Sequence, residues 1–314
     1  MSKGTPLENT PAHVPVLYHE VLQYLRPAPG LKYVDGTLGA GGHAFGILQL
    51  SAPDGELLGL DLDPTAIALA QNKLAPYKER VHIQQTSYCY ILSALAIQNW
   101  KKVDGILVDL GVSSMQLDLA EKGFSFQHEG PLDMRFNPNQ EKSAWNIVNQ
   151  YTKADLVTIL RKYGEISGAE RIADAIIKAR PLQTTTQLTD VILSVVKQNP
   201  RKVHPATLVF QAIRIEVNQE LSGIESFLPD AITALNGGGR LAVITFHSLE
   251  DRIVKHYFQL ESKDCLCPPK QPVCTCGHKA SIRILTKKSI QASSDEMMKN
   301  ARSRSARLRI VEKL

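Results

Sequence analysis

Apolar runs that close on an acid recur through the first third of the chain. Tyr33-Val34 ends on Asp35, Leu57 to Leu60 ends on Asp61, and Val103 to Leu110 carries Asp109 near its end. Val81-His82-Ile83 is a shorter run between the last two. Runs with little alternation are strands covered on both faces. Helical stretches separate them. Ala44 to Leu50 is one, and Ile91 to Trp100 is another. A third places Ala66, Ile67, Ala70 and Leu74 on one side, with Asp63 as N-cap and Pro64 in the first helical position. Strand and helix in alternation predict half of a doubly wound α/β sheet.

The alternation stops at Gly111. A loop rich in Gly, Phe and Asp is followed by helical patterns at Lys153 to Tyr163, Ala169 to Ala179 and Gln187 to Gln198, the last after the capping hydroxyls of Thr184-Thr185-Thr186. Phe210, Ile213, Val217, Leu221, Ile224 and Leu228 then recur at three and four, which predicts one long helix. Gly238-Gly239 leads into Arg240 to Phe246, a buried strand. Near the end Ala306, Leu308 and Ile310 alternate with Ser305, Arg307 and Arg309, as in an edge strand whose arginines can meet phosphate. The expected organisation is a sheet domain in two parts, 1–111 and 204–314, with a helical insertion over 112–203 and a Cys-rich loop at 265–276.

Composition narrows the class. The chain has 314 residues, 43% hydrophobic and 21% charged, with a net charge of +5. That is a globular protein with a mild tolerance for polyanions. Met1 to Pro6 lacks the apolar core of a signal peptide, and no run approaches membrane-spanning length, so the cytoplasm is expected and a membrane partner is not. Five cysteines do not make a disulfide framework in a chain this long. Cys265, Cys267, Cys274 and Cys276 nonetheless form two Cys-x-Cys pairs. They suit either zinc, although Cys-x-x-Cys is the usual pairing, or reduced loop thiols, and no metal is assigned from the sequence.

The loop after the first strand, Asp35-Gly36-Thr37-Leu38-Gly39-Ala40-Gly41-Gly42-His43, suits a nucleoside cofactor over the carboxyl ends of the strands. Asp61, at the end of the second strand, is placed to accept both ribose hydroxyls. From Gly39 the loop fits a relaxed dinucleotide pattern, which keeps an NAD-dependent oxidoreductase in view. Asp35 argues against a pyrophosphate, which it would repel, and for the ammonium of S-adenosylmethionine.

Three further segments put polar residues at strand exits or turns: Asp109 to Gln116, Gly130 to Arg135, and Phe246 to Arg252. Each alone could be a capped helix or a solvated turn. Together, with His13 to Leu17, Lys122 to Phe126, Tyr163-Gly164-Glu165, His204 to Thr207, Phe210 to Ile215, Asn218 to Leu221 and Arg304 to Ala306, they resemble the RsmH (MraW) family throughout the chain. Phe-His-Ser-Leu-Glu-Asp-Arg and Pro-Leu-Asp-Met-Arg are the most specific strings. Lys122 replaces a usual Arg, and Phe136-Asn137 replaces a common Met-Asp pair.

The resemblance implies a Rossmann-like, S-adenosylmethionine-dependent methyltransferase sheet with an inserted α-helical domain. It implies methylation of the N4 amine of a cytosine in 16S ribosomal RNA, at the decoding-centre P site of the small ribosomal subunit, with no DNA partner. Carried over by motif, Gly41, Gly42 and His43 lie beside the methionine portion, Asp61 binds the ribose, Tyr88 faces the adenine, and Asp109 and Gln116 complete the cofactor set. Asp133, His247 and Ser248 are the expected catalytic residues. The cytosine amine is a poor nucleophile that needs in-line placement and a hydrogen-bond acceptor, tasks these side chains suit. A non-catalytic ribosome-binding module is the remaining rival, opposed by the presence of Asp35, Asp61 and Asp109.

Overall fold

The computed structural model describes residues 15–197, 204–268, 271 and 273–314. His13, Val14, the Met1–Pro6 segment, Gln198 and the other residues of 198–203, and Pro269, Lys270 and Pro272 lie outside it. The described residues form two compact units. Of the described residues, the first comprises those within 15–109, 230–247 and 255–314, and the second those within 110–197, 204–229 and 248–254.

The first unit is built on a seven-stranded sheet: β1 (Lys32–Asp35), β2 (Glu56–Asp61), β3 (Val81–Gln85), β4 (Val103–Asp109), β5 (Leu235–Thr245), β6 (Ile282–Ile284) and β7 (Arg307–Lys313). Their order across the sheet is β3-β2-β1-β4-β5-β7-β6. The first five are parallel, and β7 runs antiparallel to both neighbours. Leu57, Leu58 and Leu60 on β2, and Ile106, Leu107 and Val108 on β4, have essentially no exposure. That is the burial expected for strands covered on both faces. Asp63 accepts from the Thr65 N–H at 3.0 Å and opens the helix Pro64–Leu74, as the capping pattern predicts.

Two local expectations need correction here. The C-terminal strand is not an edge: β6 pairs with the outer side of β7, in register Arg283↔Glu312. Its three residues are too few to register as a pattern, so the sequence concealed the true edge. β5 also starts earlier than Arg240, at Leu235, and passes through Gly238 at φ 82° with a register shift against β4. The glycines lie inside an irregular strand and do not precede it.

The second unit is helical: Ala144–Gln150, Lys153–Gly164, Ala169–Ala179, Thr185–Val195 and Pro205–Asn218 share one core with Leu132, Met134 and Leu182. Thr152 with Asp155, and Thr184 with Gln187, form reciprocal capping boxes that fix where two of these helices begin. Pro205–Asn218 packs on Lys153–Gly164, which joins residues 204–229 to this unit where the sequence pattern had set them with the sheet. The expected long helix is two, Pro205–Asn218 and Glu220–Ala234, parted by Gln219 at φ 51°. One left-handed residue turns the chain without disturbing the spacing of apolar positions, so periodicity cannot reveal it. Among the described residues, no helix is long and apolar enough to cross a membrane.

Candidate functional site

In the first unit the strand order reverses around β1 and β4, and their carboxyl ends flank the switch point where α/β sheets bind ligands. Asp35, Asp61 and Asp109 terminate β1, β2 and β4. The loop after β1 is stitched to all three. The Thr37 N–H donates to Asp35 Oδ1 at 3.2 Å, and the Gly39 N–H donates to Asp61 Oδ2 at 2.8 Å. Thr37 Oγ1 accepts the Asp109 N–H at 2.6 Å, and Leu107 O accepts the Gly36 N–H at 2.8 Å. Asp61 Oδ1 takes a further bond from the Asp63 N–H at 2.9 Å.

Space is as constrained as the bonding. A Cβ on Gly36 would sit 2.8 Å from Val108 Cγ1 and 2.9 Å from Tyr88 Cβ, so Tyr88 comes directly over the end of β1. Gly41 holds φ 77° as the residue preceding the helix Gly42–Leu50, a conformation that favours glycine. His43, on the first turn of that helix, is buried, stacks on Tyr18 with centroids 6.0 Å apart, and sets Nε2 3.9 Å from Asp109 Oδ2. Burial, reinforced by the charge of Lys73, pushes its pKa down to about 4. The imidazole is therefore neutral at physiological pH, and its contact with Asp109 is dipolar.

Asp35 is the electrostatic anomaly of the site. It is 2% exposed, and burial, partly offset by the Thr37 N–H and augmented by Asp61, pushes its pKa up to about 7. Burial likewise raises the pKa of Asp61. A buried carboxyl beside a half-buried one calls for a cation, not a phosphate. A glycine-lined loop with these acids beside it fits the methionine ammonium and ribose hydroxyls of S-adenosylmethionine. Gly41, Gly42, His43, Asp61, Tyr88 and Asp109 thus come together in one unit.

The remaining candidates fall elsewhere. Gln116 is buried in the second unit, where its side-chain oxygen accepts the Ser113 N–H at 3.1 Å. Asp133, also in that unit, is gripped by Arg135 through Nε–H to Oδ1 at 2.9 Å and Nη2–H to Oδ2 at 2.8 Å, and Arg135 Nη1 donates to Gln140 O at 2.7 Å. Ser248 Oγ donates to Glu165 Oε2 at 3.3 Å, and Arg252 Nη2 donates to Glu165 Oε1 at 3.1 Å. His247 follows β5 at the end of its segment of the first unit.

A charged group that the sequence did not pair lies in the second unit. Arg214 makes a two-point contact with Glu220, at 2.8 and 2.9 Å, while Glu250 is fully buried. Burial opposes the Arg214 charge, but Glu220 and then Glu250 hold its pKa above the ordinary value. The segments Phe210 to Ile215, Asn218 to Leu221 and Phe246 to Arg252 contain these residues, but nothing in the sequence pairs them.

A Rossmann-like sheet of five parallel strands and an antiparallel β7, with acids at three strand ends and a glycine loop at the switch point, defines an S-adenosylmethionine-dependent methyltransferase. The chain belongs to the MraW methylase family, whose pattern it matches over residues 10–314. It is similar to a protein named Ribosomal RNA small subunit methyltransferase H from Dehalococcoides mccartyi, 50% identical over 302 residues, covering 96% of this chain and 86% of that one. The protein of the same name from Heliobacterium modesticaldum is 47% identical over 308 residues, covering 96% and 98%.

Proposed function

We propose that this chain transfers the methyl group of S-adenosylmethionine to the N4 amine of a cytosine in 16S ribosomal RNA, at the P site of the small ribosomal subunit. The observation that carries the reading is the trio of acids at adjoining strand ends, with Asp35 buried and short of a cation. Family membership and the names of the relatives support the ribosomal RNA substrate.

Bound S-adenosylmethionine supplies an electrophilic methyl on a sulfonium. Asp35 would meet the cofactor's ammonium, Asp61 would keep lone pairs for the ribose hydroxyls, and Tyr88 would lie against the adenine. Asp109 accepts a hydrogen bond from the amine, favouring a nitrogen whose lone pair points at the methyl, and neutral His43, 3.9 Å away, leaves that carboxylate charged. As the N–C bond forms and the S–C bond breaks, one amine proton passes to an acceptor and on to solvent. His247 and Ser248 orient the base, and Asp133, committed to Arg135, shapes the loop that receives it.

The test is methyl transfer from labelled cofactor to small subunits lacking the modification, with the product nucleoside identified. Label in N4-methylcytosine is the expected result, and label in any other nucleoside, or none, overturns the reading.

Two further outcomes follow from the electrostatics. In the unliganded fold, the raised pKa of Asp35 means its protonated form is favoured. The associated stabilisation is complete below the ordinary carboxylate value and is lost as pH rises through about 7. The cofactor cation selects the ionised form, so the linkage for binding has the opposite sign. Cofactor affinity is expected to rise by up to about tenfold per pH unit below that value and to level off above it. Calorimetric titration across pH checks this, and Asp35→Asn should bind more weakly with a flat profile.

RNA contact is the second. In the first unit Lys255, Lys287, Lys288, Arg307 and Arg309 line one groove, a basic surface suited to phosphates. Lys287→Glu with Lys288→Glu is expected to weaken RNA binding and to lower the slope of log affinity against log salt by about two. Filter binding at several salt concentrations measures it, and an unchanged slope would remove this groove from the RNA path.

A further inference from the structure

Between the helix Ser248–Glu261 and β6 lie four of the five cysteines, a cluster that methyl transfer does not use. The sequence left both zinc and free thiols open and assigned no metal. In the fold the chain doubles back so that the two Cys-x-Cys pairs face each other. Cys265 Sγ lies 3.4 Å from Cys274 Sγ and 3.8 Å from Cys276 Sγ, and the latter two are 3.6 Å apart. Cys267 closes the group, with all four sulfurs within 4.8 Å of one another.

These separations discriminate between the possible chemistries. Thiolates around zinc at about 2.3 Å occupy the corners of a tetrahedron whose edges are about 3.8 Å. A disulfide would hold two sulfurs at about 2.05 Å, and all four of these cysteines are free. Hydrophobic burial does not explain the convergence, because Cys265, Cys274 and Cys276 are exposed.

Backbone donors surround the sulfurs as they do in metal thiolates. The Leu266 N–H points to Cys276 Sγ at 3.3 Å, and the N–H groups of Thr275 and Cys267 reach Cys267 Sγ and Cys265 Sγ, each at 3.4 Å. Such contacts fix ligand orientation and stabilise thiolate charge. The base of the loop is also tied. The Ser281 N–H donates to Glu261 O at 2.9 Å, and His278 Nε2 lies 3.2 Å from Leu260 O.

We propose that Cys265, Cys267, Cys274 and Cys276 bind one Zn²⁺ as a tetrahedral tetrathiolate that fixes the loop leading into β6. Binding releases the four thiol protons to solvent, forms four Zn–S bonds and changes no oxidation state. With four protein ligands the ion has no open position, so its role is structural.

The test is metal analysis of the full chain, purified without chelator and without a histidine tag. About one zinc per chain is expected, and Cys265→Ser with Cys276→Ser should lower the content about tenfold or more. Replacement of the zinc by cobalt(II) in the unmutated protein should give the intense visible bands of a tetrahedral thiolate site, a reading that does not depend on the variant folding. Metal well below stoichiometry, thiols consumed as disulfides without metal, or undiminished zinc in the variant would each overturn the assignment.

Discussion

Asp109→Ala is expected to lower the rate of methyl transfer by about 10²–10⁴-fold, the range for loss of a positioned proton acceptor. The residue sits at the carboxyl end of β4, its N–H bonded to Thr37 and its carboxylate 3.9 Å from neutral His43. Substitution removes the acceptor but leaves the backbone bond to Thr37 available, so the glycine loop should keep its shape. The loss should therefore dominate in kcat at saturating cofactor. Some weakening of cofactor binding is also expected, since the proposed function places the same carboxylate beside the cofactor. Single-turnover transfer to unmodified small subunits, paired with calorimetry of cofactor binding, separates the two. A variant that retains its rate within about tenfold would show that another group accepts the proton. Asp109→Asn sharpens the comparison, because it keeps the volume and loses the charge.

Arg214→Met carries the largest expected cost in stability, about 3–5 kcal/mol, the usual penalty for removing one partner of a buried ion pair. Arg214 is 15% exposed and Glu220 is 6% exposed, and Glu250 is fully buried. Removing the guanidinium strands carboxyls with little access to water. The damage comes from uncompensated charge, not from the value of the pair itself. Replacing both partners, Arg214→Met with Glu220→Leu, should therefore recover part of the loss. Denaturant titration that follows the helical unit through Trp145, which lies in that unit, measures both variants. Equal destabilisation of the single and the double variant would refute the account.

Much of the candidate cofactor site was legible because its residues are local in sequence. Asp35 to His43 is one loop, and Asp61 and Asp109 each terminate an apolar run that reveals a buried strand. Chemistry at a strand end is readable wherever the strand itself is readable. The family motifs added the distant segments, Pro131 to Arg135 and Phe246 to Arg252, but not the contacts their side chains make. Asp133 emerged as the partner of Arg135, and Ser248 as a donor to Glu165, a residue 83 positions away. Neither spacing nor composition specifies a pairing across such a separation.

The sequence by itself determined the parallel half-sheet, the glycine loop, the acids at the strand ends and the capped helices. Each of these depends on interactions within a few residues or on a burial pattern that repeats along the chain. Tertiary structure alone decided that Gln219 breaks a helix, that β6 covers β7, that Arg214 meets Glu220 across that break, and that four cysteine sulfurs converge. A left-handed residue leaves the apolar period intact, a three-residue strand is shorter than any detectable pattern, and the convergence of side chains depends on how the backbone returns on itself. The physical division lies there: periodic burial is written along the chain, while charge pairing and ligand geometry exist only after the chain has folded.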